Sequence, residues 1–253
     1  MASRFVLLLA LSTALAVPAL AHADETPAPT AAQASVPEAL LTGLAKHASS
    51  LEEMKRRGAF TFTGRMEALD GDGHASEVKE ITMRSTPTST PRERIVKVMR
   101  YVEDGKDKTA EAQAKADERR AKHRVSKGDK KANDLKLPFL PSEQARYTFS
   151  LVERDAANPS RVLIAFTPKV PAEDAFKGTA WVDEKEREVL STGFSFSKNP
   201  TFVDHVHITM VFGLSTPLGR APSQISFDGK GGFLFIRKHY RGSARITDPA
   251  IAF

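Results

Sequence analysis

The pattern of apolar and polar positions changes period once along this chain, and that change predicts the architecture. Over PEALLTGLAKHASSLEEMKRRG, Leu40, Leu41, Leu44, Leu51 and Met54 recur at helical spacing. Pro37-Glu38 is a favoured helix opening and Gly58 a stop, with Gly43 and Ser49-Ser50 as candidate breaks. The pattern predicts an amphipathic N-terminal helix, and such a helix needs an apolar surface to cover.

From Gly58 onward the period is two. In AFTFTGRMEAL, Phe60, Phe62 and Met66 share one face while Thr61, Thr63, Arg65 and Glu67 share the other. Asp70-Gly71-Asp72-Gly73 marks a hairpin turn, after which SEVKEITMRS returns. RIVKVMRYVE, ARYTFSLVER, SRVLIAFTPK, GTAWVDE, EREVLSTGFSFSK, FVDHVHITMVFG, SQISFDGK and GFLFIRKHYRGSARI follow, each bounded by Gly, Pro, Asn or Asp. The links are mostly too short for crossover helices, so about ten strands are expected in an antiparallel meander. The fold class is therefore mainly β: a curved antiparallel sheet with an N-terminal helix and one charged helical insertion.

That insertion is TAEAQAKADERRAKHR, which favours helix but has almost no apolar stripe. Such a helix projects into solvent or lies across a mouth. Leu135, Leu137, Phe139 and Leu140, just after it, are costly to expose and are expected to dock on the sheet.

Composition sharpens this picture at the ends and in the charge balance. The opening MASRFVLLLALSTALAVPALAHADE has a basic start, an apolar run too short to span a bilayer, and Ala21-His22-Ala23 as a cleavage signature. It predicts a secretory signal peptide over residues 1–23, cut after Ala23 or after Ala21, then a flexible Pro/Ala/Thr-rich tether over 24–36. Residues 37–253 form one β domain, within which 105–134 is the basic helical insertion. The chain has no cysteine, hence neither a disulfide framework nor a lipid-bearing cysteine. A soluble periplasmic protein is expected. The net charge is +6, yet residues 105–131 hold ten Lys/Arg against five Asp/Glu, an excess equal to the surplus of the whole chain beyond Arg4. A neutral body with one basic helix is a poor nucleic-acid binder, so no nucleic-acid partner is expected. The sharper reading of 105–131 is a basic flap that meets an anionic membrane surface, where each Lys or Arg contributes ~1 kcal/mol.

Candidate chemistry is sparse. The chain has no nucleophile elbow, zinc-protease motif, P-loop or dinucleotide fingerprint. Gly229-Lys230-Gly231-Gly232 joins two strands and reads as a turn. His205 and His207, two apart on a strand, could share a cation, but they look outward and lack an evident third ligand. Asp183, Glu184 and Glu186 lie in a turn beside Lys185 and Arg187, with nothing to desolvate them. The expectation is no enzyme, no metal site and no cofactor.

The strands are rich in aromatic and aliphatic side chains instead. A sheet of ten strands with one greasy face must curl, and its concave side must be filled by a helix or a ligand. Phe60, Phe62, Met66, Tyr147, Phe149, Phe166, Trp181, Phe194, Met210 and Phe212 are the expected lining of an apolar, ligand-binding concavity. Trp181, the only tryptophan, is expected to look into it.

The stretch GTAWVDEKEREVLSTGFSFSKNPTFVDHVHITMVFG, followed by GFLFIRKHYRG, resembles the outer-membrane lipoprotein-sorting (LolA/LolB-like) group. The likeness is carried by Gly178, Trp181, Val182 and Asp183, then Glu188-Val189-Leu190, with support from the LPF and RYTF stretches upstream. It implies a half-open β-barrel, with helices on the concave side and acyl chains or apolar peptides as guests. The chain departs from the group in lacking an anchoring cysteine and in carrying the charged insertion. Three readings follow. One is a periplasmic carrier that holds a lipid, acyl chain or lipoprotein segment. Another is a regulatory or scaffolding protein that binds a second envelope protein through an edge strand or the basic helix. An outer-membrane barrel is raised by Ile251 and Phe253 at the C-terminus, and opposed by Asp248-Pro249 in the last strand and by charges on the faces lipid would touch.

Overall fold

The computed structural model describes residues 34–90, 93–125, 136–233 and 236–251. The expected signal peptide, most of the tether, the end of the basic insertion, Leu135 and Phe253 lie outside them. Among the described residues, no helix is long and apolar enough to cross a membrane.

The N-terminal helix α1 (Glu38–Arg57) forms where the pattern places it, without a break. The helix runs through Gly43, where a side chain would overlap Arg187. Ser49 turns its hydroxyl onto the Ala45 carbonyl, 2.8 Å away, and stays helical. Leu40, Leu44, His47, Ala48, Leu51 and Met54 form one buried stripe. At the C-terminal end, Lys55, Arg56 and Arg57 complement the helix dipole. There Arg94 donates to the Lys55 carbonyl (3.0 Å) and the Gly58 carbonyl (2.6 Å).

Among the described residues there are fourteen strands: β1 (Ala34–Ser35), β2 (Gly58–Leu69), β3 (Ala75–Pro87), β4 (Arg94–Glu103), β5 (Lys106–Asp107), β6 (Tyr147–Arg154), β7 (Arg161–Pro168), β8 (Phe176–Asp183), β9 (Glu188–Phe196), β10 (Val203–Val211), β11 (Leu214–Thr216), β12 (Gly219–Ala221), β13 (Gln224–Phe233) and β14 (Ile236–Ile251). Between β5 and β6 lie α2 (Thr109–Val125) and the one-turn α3 (Pro141–Gln144). The strands exceed the expected ten because β1 and β5 are two-residue edge pieces and β11–β12 form a separate small hairpin.

Twelve strands make one antiparallel sheet in the order β1-β6-β7-β8-β9-β10-β13-β14-β2-β3-β4-β5. The meander expectation holds within β6–β10 and within β2–β5, but the last strand, β14, pairs with β2 and joins the two ends of the chain. The sheet is open, with β1 and β5 at its edges. Asp248-Pro249 does not end β14. The pair is absorbed in a register shift between Thr247 and Ala250, with Asp248 at φ 51°. A bulge is where a strand proline is tolerated.

One core joins the α1 stripe to inward side chains of β6 through β9, Phe212, Ala221 and Ile246. The β11–β12 hairpin and the 137–140 segment pack on the same face, so Leu137, Phe139 and Leu140 dock as expected. Glu143 of α3 is buried and ionically paired with Lys136 (3.2 Å) and Arg146 (2.7 Å). Its neighbour Gln144 donates to the Leu41 carbonyl at 2.8 Å, tying this segment to α1.

Candidate functional site

Strand alternation assigns each expected lining residue to a face. Val162, Ile164 and Phe166 of β7 and Ala180 and Val182 of β8 are buried beneath α1. Trp181 pairs with Leu163 and Ser191, the opposite parity, and is half-buried on the other face. The expectation that Trp181 looks into the concavity is therefore corrected. The alternation Ala180-Trp181-Val182 admits either assignment, and in the fold Ala180 and Val182 take the buried inner face.

The other nine fall on the inner parity or in the core. Phe60, Tyr147, Phe166, Phe194 and Phe212 are buried core residues, while Phe62, Phe149 and Met210 are half-buried against them. Met66 lies half-buried on the inner parity of β2, opposite Gly242 and Lys79, away from that cluster. The rings interlock. Phe139 stacks on Phe149 at 5.4 Å and meets Phe166 edge-on at 5.8 Å, while Phe176 meets Phe194 edge-on at 5.2 Å. The Tyr147 hydroxyl accepts the Phe176 N–H at 3.2 Å, and burial raises the phenol above its ordinary pKa.

Phe166, Phe194 and Phe212 meet around a wholly apolar void of ≈ 20 Å³, closed by Ala48, Leu51 and Phe139. That is the room of about one water centre, far less than an acyl chain needs. The trough exists, but its occupant comes from the same chain: α1 from one side, the 137–140 segment and the β11–β12 hairpin from the others.

Residues the pattern missed hold α1 in place. His47 accepts the Val189 N–H at Nδ1 (3.0 Å), and its Nε2 lies 3.2 Å from the Arg220 carbonyl, which it can meet only as a donor. Burial lowers the His47 pKa, countered by the Arg220 backbone bond and by nearby Glu188. The signal was in the sequence: His47 falls on the same helical stripe as Leu40, Leu44, Leu51 and Met54. Phe176 was also missed, although it shares parity with Ala180 and Val182.

The opposite face carries a much larger open concavity of ≈ 950 Å³ spanning β4, β3, β2, β14, β13 and β10. Its charged lining is Arg65, Arg100, Arg241, Glu67, Glu80 and Asp228, with Thr63, Thr82, Thr209, Ser226 and Ser243 between them. The charges neutralise one another: Arg65 bonds Glu67 (2.9 Å) and Glu80 (3.4 Å), Arg241 bonds Glu67 (2.8 Å), and Arg100 bonds Glu80 (3.2 Å). Hydrogen bonds from Arg241 and then Arg65 hold the Glu67 carboxyl below its ordinary range despite some desolvation. A surface with its charges so paired is unsuited to an acyl chain.

His205 and His207 are exposed on this outer face, and His207 Nδ1 lies 3.3 Å from the Ser195 hydroxyl. Among the described residues, the three-donor cluster is elsewhere, at Asp70, Asp72 and His74 in the exposed β2–β3 turn. There Asp70 Oδ1 already accepts the Asp72 and His74 N–H groups, which makes it a turn-forming carboxylate. As far as residue 125, the basic insertion does not project freely. The described part of it, α2, lies along the edge of β4.

An open antiparallel sheet wrapped on its own amphipathic helix is the class these observations define. No family model matches the chain, and no curated protein does. Solved structures are similar at low identity and high coverage. A LolA superfamily protein from Nitrosomonas europaea is 10% identical, with 84% of this chain and 94% of that one covered at a TM-score of 0.37. A domain from Vibrio parahaemolyticus, named for outer membrane lipoprotein sorting, is 11% identical, with 82% and 93% covered at 0.34. The Pseudomonas aeruginosa MucA/MucB complex is matched at 12% identity, with 85% and 99% covered at 0.22. At these values function rests on the chain's own residues.

Proposed function

We propose that this is an exported, periplasmic binding protein of the carrier type, which takes an acyl chain or apolar lipoprotein segment onto the inner face of its sheet when α1 swings away. The observation that supports the reading is that α1 covers the inner face with a stripe of apolar side chains. Leu40, Leu44, Ala48, Leu51 and Met54 cover an aromatic sheet face, and polar bonds through His47 and Arg94 join the helix to the sheet, while Gln144 joins it to α3. Its four larger apolar side chains contribute roughly 6–12 kcal/mol by burial. A sixteen-carbon acyl chain contributes ~13 kcal/mol at ~0.8 kcal/mol per buried methylene, so the exchange is close to balanced. The polar contacts then decide which occupant wins.

The test is mass spectrometry of organic extracts from protein purified out of the periplasm, followed by binding of a fluorescent long-chain fatty acid. Stoichiometric lipid, or saturable binding that rises when Leu44 is truncated, supports the carrier. Purification without lipid, together with binding that never saturates, overturns it.

A further inference from the structure

The outer edge of β4 is finished by groups that stand in for a strand. Nearest β5, the Tyr101 N–H donates to the Thr109 hydroxyl (2.8 Å) and the Tyr101 carbonyl accepts the Lys108 N–H (2.9 Å). The chain then turns away as α2, yet the edge continues to be paired. The Gln113 side-chain carbonyl accepts the Val98 N–H at 2.7 Å, and its amide nitrogen donates to the Val96 carbonyl at 3.2 Å. This primary amide gives β4 an acceptor and a donor two residues apart, as the backbone of one residue in an adjoining parallel strand does.

The helix that delivers Gln113 is held lightly. No α2 residue whose side chain is described is buried, and the positions toward the sheet are Ala112, Gln113, Ala116 and Arg120. A further attachment is an ion pair from Arg120 to Glu93 at 2.8 Å. A helix without an apolar stripe adds little burial energy to its docking. Beneath it, β4 keeps strand-like side chains. Val96 and Val98 face the inner side, Lys97 and Arg100 the outer side, and Ile95 and Met99 are exposed large apolar residues.

We infer that the Val96–Val98 edge of β4 is a docking site for an extended segment of a partner protein, and that α2 is its removable cover. The segment adds a strand to the sheet, its backbone replacing the Gln113 amide. Its residues alternate apolar and acidic: the apolar ones continue the inner face beside Val96 and Val98, and the acidic ones meet Lys97, exposed on the outer side. This site lies apart from the α1 trough and is independent of the carrier reading.

The experiment uses the full chain and the capped peptide Val-Glu-Val-Glu-Val-Glu-Val as probe. Three comparisons are made: a version N-methylated at alternate residues, a version with Lys in place of Glu, and the Gln113→Ala protein. The parent peptide is expected to bind and to slow hydrogen exchange at the Val98 amide. Gln113→Ala is expected to tighten binding about tenfold, the size of one or two hydrogen bonds the cover no longer makes. The N-methylated peptide is expected not to bind, and the Lys peptide to bind more weakly. Equal binding of parent and N-methylated peptides, no binding of the parent, or an affinity unmoved by Gln113→Ala would each overturn the site. Exchange at Val98 in unliganded Gln113→Ala protein supplies a readout needing no peptide: acceleration is expected, and unchanged protection counts against the cover.

Discussion

Helices α1 and α2 are of similar length and both lie against the sheet, yet they serve it in opposite ways. One inserts a continuous stripe, from Leu40 through Leu44, His47 and Leu51 to Met54, into a bed of phenylalanines. The other has no buried side chain among those described; it touches β4 through Thr109 and Gln113 and pairs with Glu93, just before β4, through Arg120. The comparison teaches that helix propensity alone does not make a core element. Apolar spacing decides which helix leaves a greasy face that another apolar group must cover when it moves, whereas a helix lacking it can be lifted with little loss of burial.

The sharpest way to break this comparison is to truncate the α1 stripe. Leu44→Ala, at a fully buried position, is expected to lower stability by about 3–5 kcal/mol in urea titration. A loss below 1 kcal/mol would mean that α1 is as loosely held as α2. Next is Arg94→Ala, which leaves the Lys55 and Gly58 carbonyls at the end of α1 without their guanidinium partner. About 1–3 kcal/mol should be lost, with exchange first accelerated in the last turn of α1.

Acid sharpens the comparison at His47. Its folded pKa lies below the ordinary 6.5 mainly because of burial, so the unfolded chain binds the proton more readily. The His47 contribution is therefore complete above about pH 6.5 and declines as the pH falls below it, before the carboxylates of Glu67 and Glu103 are reached. In the protonated ring Nδ1 becomes a donor facing the Val189 N–H, and α1 loses its central attachment. Chemical denaturation at several pH values should show this slope in the wild type and not in His47→Gln. An identical slope in the variant would move the effect to other groups. The smallest effect belongs to α2. Ala116→Gly should cost about 0.5–1 kcal/mol of local helix stability. It should be visible in α2 amide exchange while the global unfolding midpoint stays in place.

Much of this was legible in the chain. Period two after Gly58 and the Gly/Asp punctuation announce the strands, because side chains on a pleat must alternate whatever they pack against. The α1 stripe and the apolar run around Phe139 declare themselves because their exposure would be costly. Trp181 shows where such reasoning stops, since alternation tells which residues share a face but not which face is covered. His47 shows the same limit from the polar side: one histidine on an apolar stripe acquires meaning only when β9 and β12 bring Val189 and Arg220 to its two nitrogens.

By itself, then, the order of residues determined local period, element type and the existence of one greasy sheet face, all of which depend on neighbours within a few positions. Tertiary structure alone decided the rest. It set the return of β14 onto β2, closed the trough with the chain's own helix, and gathered paired charges into an outer concavity. It also placed Gln113 on the edge of β4. Each of these joins positions far apart in the chain, and no short-range pattern encodes the distance between them.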